Sequence, residues 1–338
     1  MRFPTLMAVA LLLLAGCDRP MRQTASDTPR LDMTLLDREV GAIAERARPG
    51  VLGVGVMNLE SGETWLFNGD ARFPMQSVFK APLGAAVLEE VDAGRLNLDQ
   101  IVTLDEQDIS PARSPIADAW PQERDYTVRE LLVAAVGESD NTAADVLMKL
   151  IGGPGAVTSW LNDNHVTDIR IDRYERELQP EIAGMGSFRI AWKGDEAFTA
   201  AMHTIPPATR KAAMEAYLAD NRDTASPRGV LTFFYMLEDQ KLLSPASHTL
   251  LMKIMTETQT GAERLKAGFP PGSVFAHKTG AARTDLGVNP ATNDIGIVTL
   301  PDGRRYAVAV FLKAATLDAA GREKIHADVA RAITRGVR

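Results

Sequence analysis

Cysteine is almost missing from this chain, and its single occurrence, Cys17, lies near the start. The body of the protein therefore holds no disulfide and no thiolate metal site. The five histidines, His165, His203, His248, His277 and His326, fall at no metal-ligand spacing, so neither a metal nor a cofactor is expected. Long basic runs are missing as well, and the net charge is −7. That balance excludes recognition of a phosphate backbone, so no nucleic-acid partner is expected. There is no internal repeat and no low-complexity tract. The apolar run Leu6 to Leu14 is too short to cross a bilayer as a stable helix. What is present is ordinary for a globular protein: 338 residues, 45% hydrophobic and 24% charged, enough for one large domain or two packed ones.

The start of the chain reads as an export signal over residues 1–16: Arg2, a short apolar run, then Ala15-Gly16. The ending Leu14-Ala15-Gly16-Cys17 resembles a bacterial lipoprotein signal. That resemblance implies cleavage before Cys17, acylation of its thiol, a membrane partner through that lipid, and a periplasmic location. Asp18 after Cys17 resembles an inner-membrane retention signal. The polar stretch after Cys17, with Pro20 and Pro29, reads as a flexible tether over 17–33.

Apolar residues at Leu35, Leu36, Val40, Ile43, Ala44 and Ala47 predict a helix over Thr34 to Arg48, stopped by Pro49-Gly50. Val51–Met57 and Thr64–Phe67 read as strands across a turn at Glu60–Glu63. Three more strands are expected far downstream, at Ser273–Lys278, Asp294–Leu300 and Tyr306–Leu312, with a hairpin turn at Pro301–Arg304. A last helix spans Asp318 to Thr334. The middle is helical in pattern, for example at Val128–Val136, Ala143–Ile151 and Pro227–Asp239. Strands from both ends must then share one sheet, with a helical lobe inserted between them. The fold class is α+β: a lobe of residues 34–72 and 266–338, and an all-helical lobe of 73–265. A cleft between such lobes is a usual place for a site.

Chemistry-bearing residues fall in three short stretches. Ser77 and Lys80 are three apart inside the apolar segment Phe73–Leu88, so on a helix they share a face. A desolvated lysine with a lowered pKa can take the proton of a serine nucleophile. Gly137-Glu138-Ser139-Asp140-Asn141 lies between two helical segments, where Ser139 offers a relay hydroxyl and Asn141 an amide. Ser and Asn there are also ordinary helix N-caps. His277-Lys278-Thr279-Gly280 ends a strand, which would turn His277 away from Lys278.

In this order the three stretches are the S-x-x-K, S-D-N and K-T-G signature of class A β-lactamases and penicillin-binding proteins. Phe73–Lys80, Thr127–Leu132 leading to Ser139–Ala144, and Thr292–Ile295 resemble that family, and the resemblance runs from Leu35 to Thr334. It implies the serine β-lactamase/DD-peptidase-like fold, with an antiparallel five-stranded sheet flanked by helices plus the all-helical lobe. It implies that Ser77 is acylated, Lys80 activates it, and Ser139 passes a proton to the leaving nitrogen beside Lys278. The backbone N–H groups of Ser77 and Ala281, the residue after Gly280, would form the oxyanion hole. Arg173-Tyr174-Glu175-Arg176-Glu177-Leu178-Gln179 resembles the loop that carries the deacylating base, which makes Glu175 that base. Gln179 departs from the family's Asn. Thr260–Leu265 resembles the segment whose arginine, here Arg264, clamps a substrate carboxylate, with Thr279 and Thr260 as hydroxyl partners and Asn141 on the substrate carbonyl.

The familial loop closes with an Asp paired to its Arg, which makes Arg173 and Asp223 a pair. They stand 50 residues apart, far more than is usual, leaving an inserted extension at 180–221. Helices are expected in it at Asp195–Ile205 and Pro207–Ala219. Three functions fit these residues: a monomeric β-lactamase acting on small β-lactams, a DD-peptidase acting on peptidoglycan stems, or an inert wall-binding lipoprotein. Glu175 argues against the second, and the full set Ser77, Lys80, Ser139 and Lys278 against the third.

Overall fold

Alternation along the long C-terminal strand decides how the sheet is covered. Val308, Val310 and Leu312 face one core, while Ala307, Ala309 and Phe311 face another. The computed structural model describes residues 30–337. Five strands, β1 (Val51–Asn58), β2 (Thr64–Phe67), β3 (Val274–Ala281), β4 (Asn289–Thr299) and β5 (Arg305–Ala315), pair in the order β2-β1-β5-β4-β3. Every neighbouring pair is antiparallel, with Val54 opposite Val310 and Lys278 opposite Ile295. The α+β architecture with a five-stranded antiparallel sheet is thus the one expected.

One face is covered by the first and last helices. In α1 (Met33–Ala47), Leu36, Val40, Ile43 and Ala47 are buried, and Asp32 caps the start by accepting from the Leu35 N–H at 3.0 Å. The last helix, Ala319–Gly336, is capped in the same way by Asp318. The other face packs against the helical part of the chain. Its helices include α2 (Lys80–Asp92), α3 (Asn141–Leu150), α4 (Glu175–Ile182), α5 (Asp195–His203) and α6 (Pro207–Ala219). Helix α2 is buried from Lys80 to Leu88 and is the spine of that core. The hairpin turn at Pro301–Arg304 closes with a Leu300 N–H to Arg304 O bond, and Gly303 supplies its positive φ of 88°.

Several boundaries differ from the sequence reading. The tether expected to reach Met33 ends sooner: Leu31 is buried and bridges Val337, and its N–H donates to Glu63. Strand β4 starts at Asn289, not Asp294, because its polar first residues find partners inside the fold: Thr292 Oγ1 donates to Asn289 Oδ1 and Asn293 Nδ2 to Pro74 O. The helix expected over Val128–Val136 stays α-helical only to Leu132. It continues as a π turn over Val133–Glu138 and ends at Ser139 with φ of 67°. Residues 76–79 form a 3-10 turn, so Ser77 precedes α2 and is not within it. Cys17 and the expected signal lie outside the described residues, among which no helix is long and apolar enough to cross a membrane.

Phe73 joins the lobes. It pairs with Ala225, stacks on Phe311 with centroids 5.5 Å apart, and fills the space beside Gly53, where a Cβ would lie 2.4 Å from its ring. Phe73→Ala is expected to cost about 3–5 kcal/mol in urea unfolding. A loss below about 1 kcal/mol would mean that the space collapses freely.

Candidate active site

The 3-10 turn delivers Ser77 to the free edge of β3, and Gly280 allows the approach. A Cβ at 280 would sit 2.5 Å from Met75 O and 3.2 Å from Ser77 N, so only glycine lets the two backbones touch. Asn293 on β4 donates to Pro74 O and Met75 O at 2.8 and 2.9 Å and ties the approach segment to the sheet. The Ser77 and Ala281 residues line one cleft of about 530 Å³, together with Ser139, Asn141, Arg264 and Thr279.

Lys80 is fully enclosed. Its Nζ donates to Ser77 Oγ at 3.0 Å, to Ser139 O at 2.9 Å and to Asn141 Oδ1 at 2.6 Å. The Ser139 backbone is left-handed, which turns its carbonyl to Lys80 and its hydroxyl to Lys278, whose Nζ lies 2.9 Å from Oγ. Lys278 also donates to Thr279 O. The cap of α3 is Asp140, not Ser139 or Asn141. It accepts from the Ala143 and Ile116 N–H groups and from Ser114 Oγ, which leaves both neighbours' side chains for the cleft.

Glu175 and Gln179 are one turn apart on α4. Gln179 Nε2 donates to Glu175 Oε2 at 2.8 Å and to Gln76 Oε1 at 3.1 Å. Glu175 Oε1 lies 3.5 Å from Lys80 Nζ and accepts no hydrogen bond, although it is buried. Arg173 Nε meets Asp223 Oδ2 at 2.6 Å, and Asp223 also accepts the N–H groups of Asp172 and Arg173. Arg264 lines the cleft, but its Nη1 already donates to Gly280 O and Asn293 O. Thr279 Oγ1 donates to Thr260 Oγ1 at 2.9 Å. His277 turns away from Lys278 and bonds Asp294 at 2.8 Å.

A family model described as the Beta-lactamase enzyme family matches residues 35–337. This chain belongs to the β-lactamase enzyme family. It is 34% identical to Beta-lactamase VEB-1 of Pseudomonas aeruginosa, over 85% of each chain. It is 31% identical to Extended-spectrum beta-lactamase PER-1 of the same organism, over 91% of this chain and 88% of that one. Among solved structures, a β-lactamase from Chitinophaga pinensis shares 36% identity and superposes with a TM-score of 0.72, covering 88% of this chain and 97% of the other. A reconstructed last common ancestor of the Gram-negative class A enzymes shares 32% identity at the same TM-score, over 89% and 98%. The enzyme is a class A serine β-lactamase by family and fold, and it hydrolyses β-lactams.

The electrostatics of this β-lactamase are dominated by burial. Burial pulls Lys80 below the usual lysine range, against the pull of Glu175, Asp140 and Asp145. Lys278 is held well below it, first by burial and then by the charges of Lys80 and Arg264.

Three contributors escaped the sequence reading. Asp145 accepts the Glu175 and Arg176 N–H groups at 2.7 and 2.9 Å and the Ser110 hydroxyl at 2.6 Å, fixing the start of α4. Burial, then the nearby Glu175, pushes its carboxyl up to about 7. An acid inside the buried run Asn141–Met148 was the available signal. Gln76 and Tyr217 carried none, since their contact spans 141 positions.

Gly280→Ala is expected to lower turnover of a chromogenic cephalosporin about a hundredfold, by parting the two backbones that face the substrate carbonyl. Undiminished turnover would show that the segments separate without disturbing the cleft.

Proposed function

We propose that Ser77 attacks the β-lactam carbonyl and that Glu175 drives hydrolysis of the resulting ester. Lys80, whose pKa burial lowers, takes the Ser77 proton as Oγ bonds to the carbonyl carbon; the direct 3.0 Å contact supports Lys80 for this step. The carbonyl oxygen takes the developing charge between the Ser77 and Ala281 N–H groups. As the C–N bond breaks, Ser139 gives its proton to the nitrogen while Lys278 Nζ, 2.9 Å from Oγ, steadies the oxygen left behind, and the proton that Lys80 took from Ser77 then passes to Ser139. Asn141 and Thr279 orient the substrate. Arg264, with Thr260 behind Thr279, meets its carboxylate through what its carbonyl bonds leave free.

In deacylation, Glu175 removes a proton from water as that water attacks the ester carbonyl, and as the ester C–O bond breaks the Ser77 oxygen takes that proton back through Lys80, which lies 3.5 Å from Glu175 and 3.0 Å from Ser77. One observation carries this reading. Glu175 holds one carboxylate oxygen on Gln179, while the other is buried, free of hydrogen bonds and 3.5 Å from Lys80. A DD-peptidase needs no such group, so the peptidase reading is not favoured. Arg173 and Asp223 brace the loop from behind. Export to the periplasm, anchoring through a lipid on Cys17, and action as a monomer complete the proposal.

Ser77→Ala is expected to abolish both turnover and covalent labelling by penicillin. Glu175→Ala should acylate but release product at least about a hundredfold more slowly, so that intact mass shows the acyl-enzyme. Labelling that survives Ser77→Ala would remove the acyl-serine reading, and unchanged release by Glu175→Ala would remove the base.

A further inference from the structure

The extension at 180–221 does more than decorate the surface. Its helix α6 sends Tyr217, only 4% exposed, inward to the segment that carries the nucleophile. Gln76, the residue before Ser77, donates its Nε2 to Tyr217 Oη at 2.6 Å. Its Oε1 faces Gln179, whose Nε2 reaches both it and Glu175 Oε2. We propose that Tyr217 is a positioning residue for deacylation, the far end of a hydrogen-bond chain that holds an amide N–H against the Glu175 carboxylate. The inference rests on Glu175 being the deacylating base.

The direction of the chain follows from its two ends. An ionised carboxylate can only accept, so Gln179 must present its Nε2 to Glu175. The other proton of that nitrogen then needs an acceptor, which is Gln76 Oε1. Gln76 is left with an Nε2 in a buried place, and Tyr217 Oη is its partner. Without that oxygen the Gln76 amide would keep an unpaired buried donor, which is costly enough to make it rotate away. Gln179 would lose its second acceptor and its fixed orientation. Gln76 has little other freedom, because its φ of 47° and the adjoining 3-10 turn set its backbone.

The phenol suits the position because it stays neutral. Burial pushes its pKa up, so Tyr217 adds no negative charge of its own near Glu175. The charged groups facing Glu175 are Lys80 from α2, Asp145 from α3 and Lys278 from β3. Asp223 and Arg173 stand near Tyr217 itself. None of these bonds the Gln76 or Gln179 amides, so the chain is a separate influence on the carboxylate. The extension is held in place for this task. Arg173 binds Glu181 at 2.9 Å and Asp220 at 3.4 Å, one at each end of the extension, and Arg210 binds Asp285 at 2.8 Å.

Tyr217→Phe keeps the ring and removes only the oxygen. Pre-steady-state kinetics with a chromogenic cephalosporin would separate acylation from deacylation in the full chain. The expected result is deacylation slowed about tenfold and acylation changed less than about twofold. The acid limb of deacylation should move to higher pH by about half a unit or more, because a carboxylate that loses a donor is protonated more easily. Adding Gln76→Met to Tyr217→Phe should cost no more than Gln76→Met alone. Equal losses in both steps with an unmoved acid limb, no loss at all, or fully additive losses would each overturn the proposal and leave Tyr217 a packing residue. Glu175→Gln separates this from the parent reading. If Glu175→Gln deacylates normally, the base assignment fails and this inference with it. If Glu175→Gln stops deacylation and Tyr217→Phe does not slow it, only the inference fails.

Discussion

Two enclosed ammonium groups set the terms for the rest of the molecule. Lys80 and Lys278 are both fully buried, and stripping water from two like charges is expensive. The structure offsets that cost with polar groups drawn from three separate segments: the hydroxyl of Ser77, the carbonyl and hydroxyl of Ser139 with the amide of Asn141, and the carboxylate of Glu175. Those partners need supports of their own. The left-handed Ser139, the Asp140 cap and the buried Asp145 are backbone and acid features that a core without lysines would not require. The lowered pKa of Lys80 is the chemical return on this arrangement, since a desolvated lysine releases its proton more easily and can then accept one from serine.

The 180–221 extension enters the fold through polar ties and through an apolar seam in which Phe188, Ile190 and Trp192 pack with Ile109, Ala117 and Trp120. Arg173 gathers Glu181, Asp220 and Asp223, so one guanidinium pins both ends of the extension to the root of the loop. The ends stay close, and closing a longer loop between fixed ends adds only slowly to the entropic cost. A second core of Ala183, Met185, Phe198 and Met202 makes the extension a packed unit of its own.

What could be read in advance follows a physical division. Strands and helices came from periodicity, and their centres were placed well because burial repeats every second or every third to fourth residue. Their ends were not, since the polar residues of Asn289–Asn293 and the π turn before Ser139 hide inside patterns that favour another ending. The Ser77–Lys80 pair and the Lys278–Gly280 stretch are local and therefore visible. Asp145, Gln76 and Tyr217 act through contacts between distant positions, to which no spacing rule applies. Arg173 and Asp223 are an intermediate case: resemblance suggested the pair, and the 2.6 Å contact holds across the extension.

The central strand pair has a consequence for the order of assembly. Strand β1 ends at Asn58, and its inner neighbour β5 begins at Arg305, so the middle of the sheet joins the first and last parts of the described chain. No nascent chain can close this sheet until nearly all of it has been made. Such a topology has high contact order, and the early strand must wait, exposed and unpaired, while the helical lobe emerges. Completion of synthesis, not the appearance of either lobe, therefore sets the earliest moment at which the cleft beside β3 can exist.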